Sequence, residues 1–188
     1  MTDKERLLLE KLDQIVHSEE VISRILRVIQ RVREDLARKL DALMAWEPVD
    51  LAAFGPELPS AIRSGWVFVL RAGVDTGAER HPSSHQRMMT FDGTGDMKID
   101  ATRVSNDVTA ESEIVWESNV LVGDPGAALE QRWISILPNV WHRPVIPKGA
   151  IWVVVSFHTV PADELIEERP GAKQMLYESE RKRSQASD

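Results

Sequence analysis

Glu79, His81, His85 and Gln86 lie within eight residues of one another, inside the glycine-bounded stretch Gly73–Gly95. His142 closes a second stretch, Pro138-Asn139-Val140-Trp141-His142, about sixty residues later. Imidazole nitrogens, a carboxylate and an amide oxygen are suitable ligands for a divalent transition metal. The chain has no cysteine, so thiolate sites, disulfides and a cysteine nucleophile are excluded. A metal here is held by His, carboxylate, amide or water.

The elements that must position these groups change character along the chain. Residues 3–45 read as helix. Leu8, Leu12, Ile15, Ile22, Leu26, Ile29, Leu36, Leu40 and Leu43, together with Glu19 and Arg33, form a seam at alternating spacings of four and three. Val21, Ile25, Val28 and Val32 add a second apolar line. The alternatives are one helix of roughly 60 Å or two helices broken at His17-Ser18, with Ser18 as N-cap; compactness favours the break. The apolar width suggests a homodimer, or else packing on the chain's own body. Residues 48–64, rich in proline, read as a connector.

From Gly65 the pattern turns to short β-type segments: 66–70, 78–81, 85–91, 96–100, 113–122, 131–137 and 151–158. Turn residues separate them, among them Asp92-Gly-Thr-Gly95. Many short strands without intervening helices imply a sandwich, barrel or jelly roll. Trp66, Trp116, Trp133, Trp141 and Trp152 read as core filling. Residues 161–168 read as a short helix, and 169–188 as a polar tail. The expected organisation is a helical segment 1–47, a connector 48–64, a β-barrel 65–168 and the tail.

Residues two apart on a strand share a face at ~7 Å. Glu79 and His81 can therefore point the same way. The turn Pro82-Ser-Ser-His85 returns Gln86 on a neighbouring strand, and His142 arrives from another. His85 would sit ~13 Å from His81 on a continuous strand, and alternation sends it to the face opposite Gln86. It reaches a shared ion only through the turn. Met88 shares the face of Gln86 and could line a cavity, whereas Arg87 does not. His158 would contribute only by facing inward at the end of its strand.

This pattern resembles the cupins, small β-barrels of jelly-roll type. Their first motif spaces a Gly, a His-x-His pair, a Glu and a closing Gly. This chain reads Gly73, five residues, Glu79-Arg80-His81, four residues, Gln86, six residues and Gly93, and every spacing fits. Glu79 stands in the first His slot and Gln86 in the Glu slot. In the second motif Asn139 occupies a Gly slot, as suits a left-handed backbone. His142 is in register there, Pro138 lies one residue late, and Ile146 stands at the trailing Asn position. The resemblance covers residues 65–158. It implies a mainly β cupin barrel with an α-helical N-terminal segment. It also implies one metal held by Glu79, His81 and His142, with Gln86, or less readily His85, completing the set. Gln86 and Met88 would face a small-molecule ligand. Two His and a carboxylate suit Fe(II) first, with Mn, Ni, Co or Zn possible. The function implied is a metal-dependent small-molecule enzyme, a dioxygenase-type oxidoreductase ahead of an isomerase or lyase. The alternative is a non-catalytic metal- or ligand-binding or sensing module.

Whole-chain properties narrow the partners. With 30 acidic and 23 basic residues the net charge is −7, which argues against nucleic acid. No run approaches the ~20 apolar residues of a membrane span. The N-terminus carries charges within its apolar stretch, unlike a signal peptide. A soluble, cytoplasmic location is the expectation.

Overall fold

The structure, a computed structural model, describes residues 1–102, 108, 110–171 and 175–176. Two helices, α1 (Asp3–Val16) and α2 (Glu19–Arg38), precede β1 (Met44–Val49), β2 (Ser64–Leu70) and the long β3 (Gln86–Asp100). Then come β4 (Trp116–Glu117), β5 (Val120–Val122), the single turn α3 (Leu129–Arg132) and β6 (Trp133–Ile136). β7 (His142–Val145), β8 (Trp152–His158), β9 (Ile166–Glu167) and β10 (Met175–Leu176) complete the described order. Pairing is antiparallel, in the order β1-β2-β8-β3, with β6 on the other side of the first half of β3. The second half of β3 pairs with β7, β5 and β4. β3 thus belongs to both walls of the barrel. Among the described residues no helix is long and apolar enough to cross a membrane.

Strand alternation separates two cores. Val67, Val69, Met89, Val153, Val155 and Phe157 point outward and pack against Leu9, Leu12, Val21, Ile25, Val28, Ile29, Val32 and Leu36 of the helices. Leu70, Met88, Met97, Ile99, Ile134, Trp152 and Val154 point inward. The apolar width of α2 is thereby covered by the chain's own sheet. Each such buried side chain contributes about 1.5–3 kcal/mol. Two polar clusters fix α1 on that face. Glu5 accepts from Arg87 Nε at 2.7 Å and from Ser135 Oγ at 2.7 Å. Asp13 accepts from Arg132 and from Trp133 Nε1 at 2.8 Å.

The helices break at His17-Ser18, and Ser18 is the N-cap residue of α2. Its hydroxyl, however, donates back to the Ile15 carbonyl at 2.8 Å and so closes α1 instead. Three sequence expectations differ from the structure. The helical segment stops at Arg38, where Arg71 donates to the carbonyls of Leu36, Lys39 and Ala42. The chain then forms β1, an edge strand where Pro48 is tolerated because an edge residue can do without a ladder donor. Residues 161–168 form a 3-10 turn (Ala162–Glu164) followed by β9 rather than a helix, because 166–168 are recruited by pairing.

The third difference is that Asp92-Gly-Thr-Gly95 does not end a strand. β3 runs through it with a bulge between Thr90 and Asp92. Gly93 has φ +77°, and a Cβ there would lie 1.8 Å from the Ile151 carbonyl oxygen. A Cβ on Gly95 would lie 2.2 Å from the Trp152 ring. Replacing Gly93 with Ala combines backbone strain and overpacking, so Gly93→Ala is expected to cost about 2–3 kcal/mol. Urea denaturation checks this, and a loss below about 0.5 kcal/mol, the size of an ordinary surface change, would contradict the close approach of β8 to β3.

Candidate metal centre

Glu79 and His142 face one another across an antiparallel bridge, each backbone N–H donating to the other's carbonyl at 2.8 Å. Directly opposed residues project to the same side. His81, two positions on, joins them. Ligand atoms of Glu79, His81 and His142 all lie within 4.8 Å of one another. The structure thus brings together the three residues that the spacing grouped. Arg80 points the other way, ion-paired with Glu168 at 2.7 Å and stacked on Trp141 at 4.5 Å.

Backbone carbonyls orient both rings. His81 Nδ1 lies 3.0 Å from the Ile166 oxygen, and His142 Nδ1 lies 3.1 Å from the Val140 oxygen. Each Nδ1–H is satisfied there, which leaves Nε2 as the bare nitrogen. His142 Nε2 is 3.4 Å from Glu79 Oε1, too poorly aligned for a hydrogen bond, and is buried without a hydrogen-bond partner among the described residues. Asn139, at φ +65°, takes the left-handed conformation that its place in the second motif requires. Its N–H donates to the His81 carbonyl at 2.9 Å, tying the two motifs together.

Gln86 is buried on the interior face, its Nε2 donating to Ser156 Oγ at 3.1 Å and its Oε1 without a partner. Met88 faces the same way, packed in the inner apolar cluster. The structure does not bring His85 into the cluster. Alternation turns it outward, where its Nε2 meets Ser135 Oγ at 2.7 Å and its Nδ1 meets Arg87 at 3.0 Å. It belongs to the Glu5 cluster beneath α1.

The sequence reading left His158 conditional on an inward orientation and did not single out Arg169. His158 does face inward. Its ring stands perpendicular to that of His81, with centroids 5.0 Å apart. The signal was its parity with the inward Trp152 and Val154. Arg169, placed in the polar tail by composition, donates to Glu79 Oε2 at 2.9 Å, to Glu167 Oε1 at 2.8 Å and to the Thr76 carbonyl at 2.6 Å. No local signal marks it, because its partner Glu79 is 90 positions away.

Electrostatics keep His81 and Glu79 in their ligating forms. Burial, and then the charge of His142, pushes His81 down to about 4. Burial, with His81 and His142, also holds His158 well below its ordinary value. Burial alone would raise Glu79, but His142 and Arg169 outweigh it and hold the carboxyl far below its ordinary value. Glu79 and Glu167 share one guanidinium, and Glu167 takes the proton. Burial, and then the Glu79 charge, raises it from 4.5 to about 7.

The donor set fits one divalent transition metal: two bare imidazole nitrogens, a carboxylate and, on the same interior, a buried amide oxygen lacking a partner. Fold and site together define a mainly β, antiparallel barrel with an N-terminal helical segment and a candidate metal centre in its interior. No protein-family model and no curated protein matches the sequence. Solved structures similar to it include the capsular polysaccharide assembling protein CapF from Staphylococcus aureus. That match has 12% identity over 64% of this chain and 29% of that one, with TM-score 0.45. Oxalate oxidase in complex with the substrate analogue glycolate is similar at 16% identity over 73% and 56%, with TM-score 0.43. A Cupin_2 domain of an XRE family transcriptional regulator from Enterobacter cloacae is similar at 14% over 64% and 99%, with TM-score 0.41. The chain spans less than a third of CapF and about half of oxalate oxidase. Likeness at this level concerns fold and carries no argument about activity.

The raised Glu167 makes a pH prediction. The folded protein binds the Glu167 proton more tightly than the unfolded chain between 4.5 and about 7. This contribution to stability is full below 4.5 and is lost as pH rises through about 7. Glu167→Gln removes the titration. The melting temperature of the metal-free variant, relative to the native protein, is therefore expected to be higher at pH ~8 than at pH ~5. A difference that stays flat, or that falls with pH, contradicts the assignment of the proton to Glu167.

Proposed function

We propose that this barrel binds one divalent transition metal through His81, His142 and Glu79 and acts on a small molecule in its interior. Fe(II) is the first expectation, and Mn, Ni, Co and Zn suit the same ligands. The observation that carries the reading is the pair of imidazoles locked by Nδ1 onto backbone carbonyls, converging on Glu79 with His142 Nε2 buried and without a partner. A metal there would supply a Lewis acid with open positions for oxygen or a bidentate substrate. The chain's own groups orient the ligands and supply an interior lined by Met88, Ile134 and Trp152. A dioxygenase-type oxidoreductase is the leading activity, followed by an isomerase or lyase on the same fold.

The second reading, a non-catalytic metal- or ligand-binding module, has its own support. Arg169 already neutralises one oxygen of Glu79, and Gln86 offers a neutral amide where the cupin motif has a carboxylate. A homodimer in a cytoplasmic setting belongs to the same proposal. Leu26, Leu40 and Leu43 remain exposed on α2 and after it, and the mass in solution by light scattering tests the dimer.

Elemental analysis of protein purified without added metal is expected to find about one equivalent of transition metal, and His81→Ala with His142→Ala is expected to lose it. Retention of metal by the double variant would mean the wrong ligands. Absence of metal, with no thermal shift on adding Fe(II), Mn(II), Ni(II), Co(II) or Zn(II), would remove the metal reading. Oxygen uptake by the Fe(II)-loaded protein with candidate substrates separates the oxidoreductase from the binding module.

A further inference from the structure

A ladder of side-chain hydrogen bonds runs through the interior beside the three clustered residues. Gln86 Nε2 donates to Ser156 Oγ at 3.1 Å. Ser156 Oγ lies 3.2 Å from His158 Nε2, and His158 Nδ1 lies 3.1 Å from Ser84 Oγ. The Thr159 N–H donates to the same Ser84 oxygen at 3.2 Å. All four side chains are buried. Register explains the ladder: Gln86 pairs with His158 across β3 and β8, and Met88 pairs with Ser156, so the interior-facing side chains of both strands interleave.

With the Gln86 NH2 group on Ser156, one direction of the ladder gives the Ser156 hydrogen a partner. A hydroxyl has one hydrogen and two lone pairs. Because Ser156 accepts from Gln86, its hydrogen is free to go to His158 Nε2. The ring then carries its hydrogen on Nδ1 and gives it to Ser84, which accepts it together with the Thr159 N–H. With its NH2 group engaged in this way, Gln86 leaves Oε1 buried and unpartnered inside the barrel. In the reverse direction, with hydrogen on His158 Nε2, Ser156 accepts from the ring, and its own hydrogen finds a partner on the ladder only by going to the amide oxygen. Gln86 would then turn its oxygen onto Ser156 and its NH2 into the interior, where it would repel a cation.

We propose that His158 is a positioning residue: held in the Nδ1–H form between Ser84 and Ser156, it makes Gln86 present its carbonyl oxygen to the cation bound at Glu79, His81 and His142. This rests on the metal reading above for its consequence, but not for the ladder itself. The position needs such a device because an amide has one ligating and one repelling end. A carboxylate in the same place has two equivalent oxygens and needs no orientation.

Two measurements test it. In the metal-free protein at neutral pH, long-range proton–nitrogen NMR of the His158 ring is expected to show hydrogen on Nδ1 and a bare Nε2. The Nε2–H form would overturn the proposal, and this result does not depend on any metal binding. Co(II) affinity, by competition with a chelator, supplies the second measurement. Ser156→Ala frees the amide and is expected to weaken Co(II) binding about tenfold. In a Gln86→Glu background the same substitution is expected to have no effect. Equal weakening in both backgrounds would mean that Ser156 is only structural, and no weakening in either would mean that the ladder orients nothing. Loss of Co(II) from Gln86→Glu alone would also overturn the proposal. If the native protein takes up no Co(II), the proposed function falls, and the ring tautomer alone decides this inference.

Discussion

Strand β3 exchanges backbone hydrogen bonds with β4, β5, β6, β7 and β8, so its register governs which side chains can meet. Side chains alternate along a strand. Gln86 and Met88 accordingly enter the interior, while Arg87 and Met89 go beneath the helices. A slip of one residue would exchange the two sets, burying a guanidinium among apolar side chains and exposing the amide to the helical layer. The bulge between Thr90 and Asp92, with Gly93 at positive φ, lets the same strand change walls without losing its pairing.

Within the interior, hydrogen bonding is nearly closed. Each imidazole spends its Nδ1 on a backbone carbonyl or a hydroxyl, and Arg169 ties Glu79 to Glu167. His142 Nε2 and Gln86 Oε1 are left over. A buried polar atom without a partner costs about 1–3 kcal/mol, against a total stability of about 5–15 kcal/mol for a domain. Each is a cost if nothing binds it, and His142 Nε2 lies 3.4 Å from Glu79 Oε1, where a divalent cation would satisfy it.

Much of this was legible in the sequence, and for identifiable reasons. Glu79-x-His81 was readable because strand period is rigid, and Asn139 because so few residue types accept a left-handed backbone. His85 was separated from Gln86 by parity alone. Long-range pairing was not readable. β1 was hidden because Met44–Val49 continues an apolar helical seam and contains a proline, and only the partner β2 makes it a strand. Arg169 and the bridging Glu168 were hidden because their partners, Glu79 and Arg80, lie far away in the chain. The hydroxyls of Ser84 and Ser156 were invisible for the same reason: a small polar residue gains meaning only from the side chain placed opposite it.

The helical layer has a consequence for how the molecule forms. α1 and α2 are local structures and can appear within microseconds. The surface they cover is not local, because β2 and β3 are joined through β8, which comes much later in the chain. The β1–β2 pair that follows α2 gives the stripe of Val21, Ile25, Val28 and Val32 its first support, and the rest of the sheet beneath the helices closes only when β8 pairs with β2. Topologies of this kind fold slowly and expose apolar surface while they wait. In a nascent chain the helices are made well before Trp152–His158, and the arrival of that strand joins β2 to β3 beneath them and completes their cover.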